Sequence, residues 1–246
     1  CPTVTGPLSR KGPVHAVEAR IARAHTQRKL KFTLPGPMTL VDTIADAHYR
    51  DRAALAMAFA AALNEEASEL DAAGVDLIQF DEPAFNVYLD AVGDWGIAAL
   101  HRAIEGVRCK TAVHICYGYG IEPNIAWKST LGAEWRQYEK TFPALAKSRI
   151  DQVCLECVNS RVPIELLGLL GDKRVELGAI DVATDRIETP DEVAATIRRA
   201  FAQVAPERIL PSTNCGLAPL DREVARKKLA ALAAGAALVR REIGVK

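Results

Sequence analysis

Short apolar runs alternate with longer amphipathic segments along this chain. The runs are rich in β-branched residues and end at Gly, Pro or polar clusters, which is typical of strands buried in a sheet. The segments between them carry apolar residues at helical spacing and end at Gly or before Pro. We therefore predict seven strands, at residues 2–5, 30–34, 75–80, 111–114, 152–155, 175–180 and 208–210.

A helix is predicted after each strand. These helices cover residues 14–24, 52–73, 95–104, 134–146, 163–170, 190–204 and 221–240, the last with Asp221 as its N-cap. This α/β alternation predicts a parallel sheet with helical crossovers. Because a TIM barrel has eight such units, we predict a (β/α)8 barrel that lacks its first β/α unit, as a single N-terminally incomplete domain over residues 1–246. An open doubly wound sheet is the alternative, although no Gly-x-Gly-x-x-Gly follows an early strand.

Composition narrows the class of partner. The 246 residues are 49% hydrophobic and 25% charged, which is enough for one large core. Lys plus Arg and Asp plus Glu number 31 each, so no basic field favours nucleic acid or an anionic membrane. The six cysteines occur without a signal peptide or a membrane-spanning apolar run, which predicts a cytoplasmic protein with reduced thiols and a small-molecule partner.

Residues at the strand ends are the candidates for chemistry, because barrel enzymes place their catalytic side chains there. His114 and Cys116 are two residues apart on one strand and so project from the same face. Glu156 and Cys215 follow two later strands. Zinc favours ligand sets of imidazole, thiolate and carboxylate, so we predict a Zn²⁺ site at these four residues.

Simpler interpretations of these residues stay open. A core histidine is often hydrogen-bonded, and a buried cysteine often serves as a small apolar side chain. Cys154 and Cys157 form a Cys-x-x-Cys pattern that suggests redox chemistry, but three residues apart on a strand they face opposite sides. The charged run at residues 222–228 predicts a solvated helix face.

Asp81 and Glu82 follow the strand at residues 75–80. They could be a solvated pair of charges. Asp81, however, shares the alternating phase of Gln79, and a carboxylate that points into a pocket suits a substrate ammonium group. We therefore take Asp81 and Glu82 as candidate substrate-binding residues.

Several short motifs together resemble the catalytic domain of cobalamin-independent methionine synthases, over nearly the whole chain. In order they are Gly-Pro-Met-Thr at 36–39, Gln-Phe-Asp-Glu-Pro-Ala at 79–84, His-Ile-Cys-Tyr-Gly at 114–118, Leu-Glu at 155–156 and Asn-Cys-Gly at 214–216. The resemblance implies a barrel of the kind shared with uroporphyrinogen decarboxylase. It also implies that His114, Cys116, Glu156 and Cys215 bind zinc and that Asp81 holds the amino group of homocysteine.

The chain departs from the family pattern in two places. The family's serine for the substrate carboxylate and a second glutamate for the amino group have no counterpart, in agreement with a missing first unit. Folate-using members carry a histidine, after the aspartate that ends the seventh strand, which is implied to protonate the leaving pterin. Ala183 stands at that place here, which leaves Asp185 as the catalytic candidate.

The reaction implied by the resemblance is methylation of the homocysteine thiol to give methionine. A free thiol with a pKa of about 8.5 is only about 3% thiolate at pH 7, whereas a zinc-bound thiol is deprotonated. A corrinoid leaves without a proton, so Ala183 favours methylcobalamin or another non-folate carrier as the methyl donor, with a methyl-carrier protein as a further candidate partner.

Four alternatives remain. The first two are a methyltetrahydrofolate-dependent methionine synthase and a methyltransferase for another thiol such as coenzyme M. The others are a decarboxylase of the sister family, which would need no zinc, and a non-catalytic protein with a structural zinc.

Overall fold

A computed structural model gives the structure of the protein, which is described over residues 1–118, 122–158 and 160–244. The chain divides into two compact units, Cys1–Ile115 with Lys147–Gln152, and Cys116–Ala146 with Val153–Lys246. In both units, strands and helices alternate. Among the residues that the structure describes, none of the helices is both long and apolar enough to cross a bilayer.

The five strands of the first unit form two separate groups of parallel strands. They are β1 (Thr3–Val4), β2 (Lys31–Pro35), β3 (Ala45–Asp46), β4 (Leu77–Asp81) and β5 (Lys110–Ile115). β1 pairs with β3, and the others follow the order β2-β4-β5. The register places Pro35 beside Asp81 and Asp81 beside His114. The polar carboxyl ends of these strands therefore meet at one edge.

The helices of the first unit are α1 (Ala16–Ala24), α2 (Pro37–Thr43), α3 (Arg52–Ala72), α4 (Leu89–Ala91) and α5 (Ile97–Ala103), with a 3₁₀ turn at Pro83–Asn86 and a π turn at Val92–Gly96. α3 is the longest. Asp51 caps its N-terminus by accepting hydrogen bonds from two backbone N–H groups. Leu55, Phe59 and Leu63, four residues apart, lie on its buried face, as expected for a core-facing helix.

The strands of the second unit are β6 (Gln152–Glu156), β7 (Arg174–Ile180) and β8 (Ile209–Thr213), although Gln152 itself belongs to the first unit. Its helices are α6 (Glu122–Ser129), α7 (Tyr138–Ala146), α8 (Pro190–Ala200) and α9 (Arg222–Glu242). Two 3₁₀ segments lie at Ile164–Leu170 and Pro206–Arg208. The strand order is β6-β7-β8, and β7 and β8 are parallel. α8 packs closely on α9, since a Cβ at Gly235 would lie 2.5 Å from Val193 Cβ.

The α/β class with a parallel sheet is confirmed. The strand predicted at residues 2–5 is present as β1 (Thr3–Val4). It pairs with the two-residue strand β3, which was not predicted because it is too short to have a sequence pattern. Three helices, α2, α4 and α6, were not predicted, and the segment predicted as a helix at 163–170 is a 3₁₀ segment. Asp221 is the N-cap of α9, as predicted. Barrel closure and the single domain stay predictions.

Candidate metal and substrate site

Three potential metal ligands lie together at the ends of β5 and β8. His114 and Cys116 are buried, with 3% and 5% of their surfaces exposed, and Cys215 follows β8. One ligand atom from each residue lies within 4.8 Å of the other two. The structure thus brings together three of the four residues that the sequence predicts as zinc ligands.

The separation of the two thiols fits a single metal ion. Cys116 Sγ and Cys215 Sγ are 4.0 Å apart, and two sulfurs bound at about 2.3 Å to a tetrahedral zinc lie about 3.8 Å apart. A disulfide would require about 2.0 Å, so the two cysteines are not joined by one. The set of one nitrogen and two sulfurs suits zinc and leaves room for a further ligand.

Asn214 fixes the backbone next to Cys215. Its Nδ2 donates to the carbonyl of Val158 at 2.6 Å, and its Oδ1 accepts from the N–H of Cys157 at 3.2 Å. Gly178 on β7 makes room for this side chain, because a Cβ there would lie 2.4 Å from Asn214 Oδ1. The segment after β6 thereby holds the end of β8, and with it the Cys215 thiol.

Glu156, the fourth predicted ligand, ends β6 and is buried. Its Oε1 accepts a 2.6 Å hydrogen bond from the N–H of Tyr117. Among the described residues, the group of three potential ligands does not include Glu156, so its role as a ligand stays a prediction. Burial, and then the charge of Glu156, raises the pKa of the Tyr117 phenol. That hydroxyl therefore stays protonated and donates to Gln137 Oε1 at 3.1 Å.

Asp81, the predicted ammonium-binding residue, ends β4 beside His114 in register. Gln79 Nε2 donates to Asp81 Oδ1 at 2.8 Å, and Lys31 Nζ donates to Gln79 Oε1 at 2.7 Å. This relay fixes the orientation of the Asp81 carboxylate. Contact of Asp81 with a substrate stays a prediction.

Glu82 lies in different surroundings. It is fully buried, and its carboxylate accepts hydrogen bonds from the N–H groups of Met38 and Thr39 and from the Thr39 hydroxyl, at 3.0, 2.8 and 2.7 Å. These donors form the N-terminus of α2, where a negative charge is favoured. A Cβ at Gly36 would lie 2.1 Å from Glu82 Cδ. The motifs at 36–39 and 79–84 are therefore joined by the Glu82 carboxylate.

Burial controls the ionisation of Glu82. Removal from water raises its pKa to about 7, although the hydrogen bonds from Met38 and Thr39 lower it. These hydrogen bonds indicate that Glu82 holds α2 in place. They give no support to the predicted contact between Glu82 and a substrate, which stays a prediction. The sequence signal for the start of α2 was Pro37 directly after Gly36, since proline is frequent at the first position of a helix.

A cavity of about 560 Å³ opens in the second unit next to the metal ligands. Its wall includes Glu156 and Cys215, and the loop after β7 contributes Ala183 and Asp185. Asp185 is exposed. A volume of this size is ordinary for a small-molecule site. Two of the predicted metal ligands and the predicted catalytic residue therefore border one cavity.

Lys228 holds the loop that carries Asp185. It is fully buried, and its Nζ donates to the carbonyl of Asp181 at 2.9 Å, to the carbonyl of Arg186 and to Glu188 Oε2 at 3.0 Å. The prediction that residues 222–228 form a solvated face was thus wrong at its last residue. The physical reason is the buried Glu188 carboxylate, which requires a cation beside it.

The two cysteines of the Cys-x-x-Cys pattern are not joined by a disulfide in this structure. Both Cys154 and Cys157 are buried. Burial raises the pKa of the Cys157 thiol well above its ordinary value, which disfavours the reactive thiolate.

The chain is similar to known proteins of one family. Residues 1–237 match the model of the cobalamin-independent synthase catalytic domain. A methionine synthase from Saccharolobus islandicus is 35% identical over 217 residues, which are 87% of this chain and 59% of the relative. A methionine synthase from Saccharolobus solfataricus is 31% identical over a region that covers 98% of this chain and 68% of the relative. The chain spans about three fifths of the length of the first of these relatives.

Solved structures show the same likeness. A B12-independent methionine synthase from Shewanella sp. W3-18-1, in complex with selenomethionine, superposes with a TM-score of 0.95 and 59% identity over 98% of this chain and 71% of its own. A methyltransferase from Methanosarcina mazei, 16% identical over 89% of this chain and 63% of its own, shares the fold with a TM-score of 0.60. The chain therefore belongs to the family of the cobalamin-independent methionine synthase catalytic domain.

Proposed function

We propose that this chain is a zinc-dependent methyltransferase that methylates the thiol of homocysteine to give methionine. The observation that carries the proposal is the group formed by His114, Cys116 and Cys215, whose last member also lines the cavity. Zinc in that group would supply the charge that deprotonates a substrate thiol at neutral pH. Glu156, at the wall of the same cavity, is the fourth ligand in this proposal.

The comparisons support the choice of substrate. The relatives from both Saccharolobus species are methionine synthases, and the Shewanella enzyme binds selenomethionine, the selenium analogue of methionine. We extend this to the present chain, for which methionine would be the product. The same likeness supports the (β/α)8 barrel as the proposed architecture.

Residues of the first unit provide the proposed amino-group site. Asp81 would accept the homocysteine ammonium, because its carboxylate is oriented by Gln79 and lies beside His114 in register. A charge-assisted hydrogen bond of this kind is stronger than a neutral one and selects an amino acid over a plain thiol such as coenzyme M. Glu82 would act through α2 and the strand end, as a positioning residue.

The proposed methyl donor is a carrier that leaves without a proton, such as methylcobalamin or another non-folate carrier, delivered free or by a carrier protein. Along the described cavity wall the ionisable side chains are lysine, carboxylates and the Cys215 thiol, without a histidine. A carboxylate is a poor proton donor at neutral pH. Asp185 is our candidate for the group that contacts the departing carrier.

The test is turnover by the purified, zinc-loaded chain. Homocysteine is supplied with methylcobalamin or methyltetrahydrofolate, and methionine is measured by mass spectrometry. We expect His114→Ala to abolish turnover while the variant stays folded, and His48→Ala, a change at an exposed histidine, to leave turnover unchanged. Unfolding of the chain on zinc removal, with no turnover by the loaded chain, would support the structural-zinc alternative.

A further inference from the structure

One hydrogen-bond donor in the wall of the second-unit cavity is buried without an acceptor. Trp135 lines this cavity and is 7% exposed. Within the described part of the chain, its indole Nε1 has no hydrogen-bond partner. A buried N–H group without an acceptor costs free energy, and a bound ligand that offers an acceptor atom removes this cost. The Trp135 N–H therefore marks a place where a ligand oxygen is expected.

Contacts on both the backbone and the ring hold the Trp135 indole in place. The backbone N–H of Trp135 donates to the carbonyl of Arg161 at 2.8 Å, and its ring centroid lies 4.7 Å from that of Tyr117. Tyr117 follows Cys116, and its own N–H donates to Glu156 Oε1 at 2.6 Å. A donor that is fixed before the ligand arrives loses little freedom on binding. The indole is thus a preorganised donor, packed against the residue that follows a proposed metal ligand.

Lys128 supplies a positive charge beside this donor. Its Nζ lies 5.7 Å from the centroid of the Trp135 ring and donates to the carbonyl of Gly118 at 3.0 Å. An ammonium group has three N–H donors, so this carbonyl leaves others for a ligand. Hydrogen bonds of about 2.9 Å from two oxygens of one carboxylate or phosphate can reach both side chains. The pair is therefore suited to an anionic oxygen group.

The other charged groups of the described cavity wall are carboxylates on different segments. Glu156 ends β6, and Asp181 and Asp185 follow β7. Lys128 belongs to α6 and is the one cation among the described residues of the wall. An anionic ligand group is attracted to a positive charge. Such a group is therefore expected at Lys128 and Trp135, where it would orient the rest of the ligand.

We infer that Lys128 and Trp135 bind an anionic group of the methyl donor, either a carboxylate or a phosphate. This inference rests on the proposed function, in which the first unit holds the amino group of homocysteine and the cavity, which Cys215 also lines, receives the donor. A folate carrier presents a carboxylate, and a corrinoid carrier presents a phosphate. The two side chains bind and orient the carrier and take no part in bond formation.

The indole N–H resonance of Trp135 reports this contact without turnover. It is recorded by proton–nitrogen correlation NMR on the zinc-loaded chain and assigned with the Trp135→Phe variant. Methylcobalamin is compared with methylcobinamide, which lacks the phosphate, and methyltetrahydrofolate with methyltetrahydropterin, which lacks the carboxylates. We expect a downfield shift of the indole proton with one carrier and not with its analogue, because a hydrogen bond to an anion deshields the proton. The carrier that shifts the resonance identifies the group as a phosphate or a carboxylate.

Three results of this titration would overturn the inference. A Trp135 resonance that stays unchanged with both carriers would show that the N–H group contacts only water. Equal shifts with a carrier and its analogue would mean that the anionic group makes no contact. A shift with homocysteine alone would assign the pair to the thiol substrate instead of the donor.

Matched variants test the same pair in turnover. Trp135→Phe keeps an aromatic ring against Tyr117 and removes the N–H donor, whereas Lys128→Met removes the charge. Each should raise the KM for the productive carrier by about three- to tenfold, as the loss of one hydrogen bond does, without changing the KM for homocysteine. The controls are Trp127→Phe, at a ring that also stacks on Tyr117, and Lys227→Met, at an exposed position. KM values for the carrier that equal those of the controls contradict the inference.

The two measurements separate this inference from the proposed function. Methionine formed with an unchanged Trp135 resonance overturns the inference and leaves the proposed function standing. A shifted resonance without methionine from either carrier supports the binding site and refutes the proposed function.

Discussion

The ends of β4 and β7 each have a buried glutamate nearby, and the two carboxylates are stabilised in different ways. Glu82, after β4, accepts hydrogen bonds from neutral donors at the N-terminus of α2. Glu188, in the loop after β7, forms an ion pair with Lys228 at 3.0 Å, and both side chains are at most 2% exposed. One carboxylate thus orders a helix, and the other orders a loop.

This difference separates positioning from chemistry at both strand ends. In each case a less buried aspartate, Asp81 or Asp185, is the one proposed to contact substrate, and the buried glutamate fixes the backbone beside it. Because neutral donors stabilise the Glu82 anion less than a cation would, burial raises the pKa of Glu82 to about 7. The backbone beside Asp81 is therefore held by hydrogen bonds from neutral donors, whereas the backbone beside Asp185 is held by an ion pair.

The largest effect is expected from breaking the ion pair. Lys228→Met leaves Glu188 buried without its cation, which typically costs about 3–5 kcal/mol. The free energy of unfolding, measured with urea, should fall by that amount, and the loop of Asp185 should exchange its amide hydrogens faster. Lys227→Met, an exposed neighbour, is the control. Similar stabilities for the two variants would contradict the role of Lys228.

A crowded glycine tests the other strand end. Gly36→Ala places a Cβ 2.1 Å from Glu82 Cδ, so the carboxylate must leave the N–H groups of α2. We expect a loss on the order of 3 kcal/mol in the free energy of unfolding. Gly93→Ala serves as the matched control because a Cβ there meets no atom within 4 Å. If Gly36→Ala is as stable as the control, the close contact is incorrect.

The raised pKa of Glu82 should make the free energy of unfolding depend on pH. Its pKa of about 7 in the folded chain lies above the ordinary 4.5. The folded chain therefore keeps a proton that the unfolded chain releases, and the free energy of unfolding falls as the pH rises through that interval. Between pH 5 and pH 8 this group contributes a fall of about 2–3 kcal/mol.

Glu82→Gln isolates that contribution. The variant cannot ionise at this position, so its stability should fall less steeply than that of the wild type between pH 5 and pH 8. Urea unfolding at both pH values gives the two slopes. Parallel slopes would show that Glu82 is ionised throughout and that its pKa is not raised.

The smallest expected effect concerns the cap of α8, next to Glu188. Thr189 accepts a hydrogen bond from the N–H of Glu192, whose carboxylate accepts one from the N–H of Thr189. Thr189→Ala removes one half of this capping box and should cost about 1 kcal/mol in urea unfolding. A loss as large as that of Lys228→Met would mean that the cap, and not the ion pair, holds the loop.

The grouping of three potential metal ligands was easier to predict from the sequence than the contacts that hold the neighbouring loops and helices. His114, Cys116 and Cys215 could be predicted as a group because each lies at or beyond the end of a predicted strand, and the carboxyl ends of parallel strands share an edge. The position of Glu156 at the end of β6 was predicted in the same way. The ends of the strands could be predicted from the apolar pattern alone, without knowledge of contacts between distant residues.

The supports depend on contacts between distant residues, which no local pattern contains. Lys228 lies in a run of charged residues and is nevertheless buried, because Glu188, forty positions earlier, lies beside it. α2 was missed because Gly36 and Pro37 read as the stop of β2, whereas Pro37 also starts a seven-residue helix. Such a short helix is stabilised by the distant Glu82 more than by its own sequence.

We propose above all that His114, Cys116 and Cys215 hold a zinc ion that binds the substrate thiol. X-ray absorption at the zinc edge, on the zinc-loaded chain with and without homocysteine, tests it most directly. We expect one equivalent of zinc with sulfur neighbours at about 2.3 Å, and one additional sulfur neighbour when homocysteine is added. Sulfur coordination that does not change with homocysteine would contradict it.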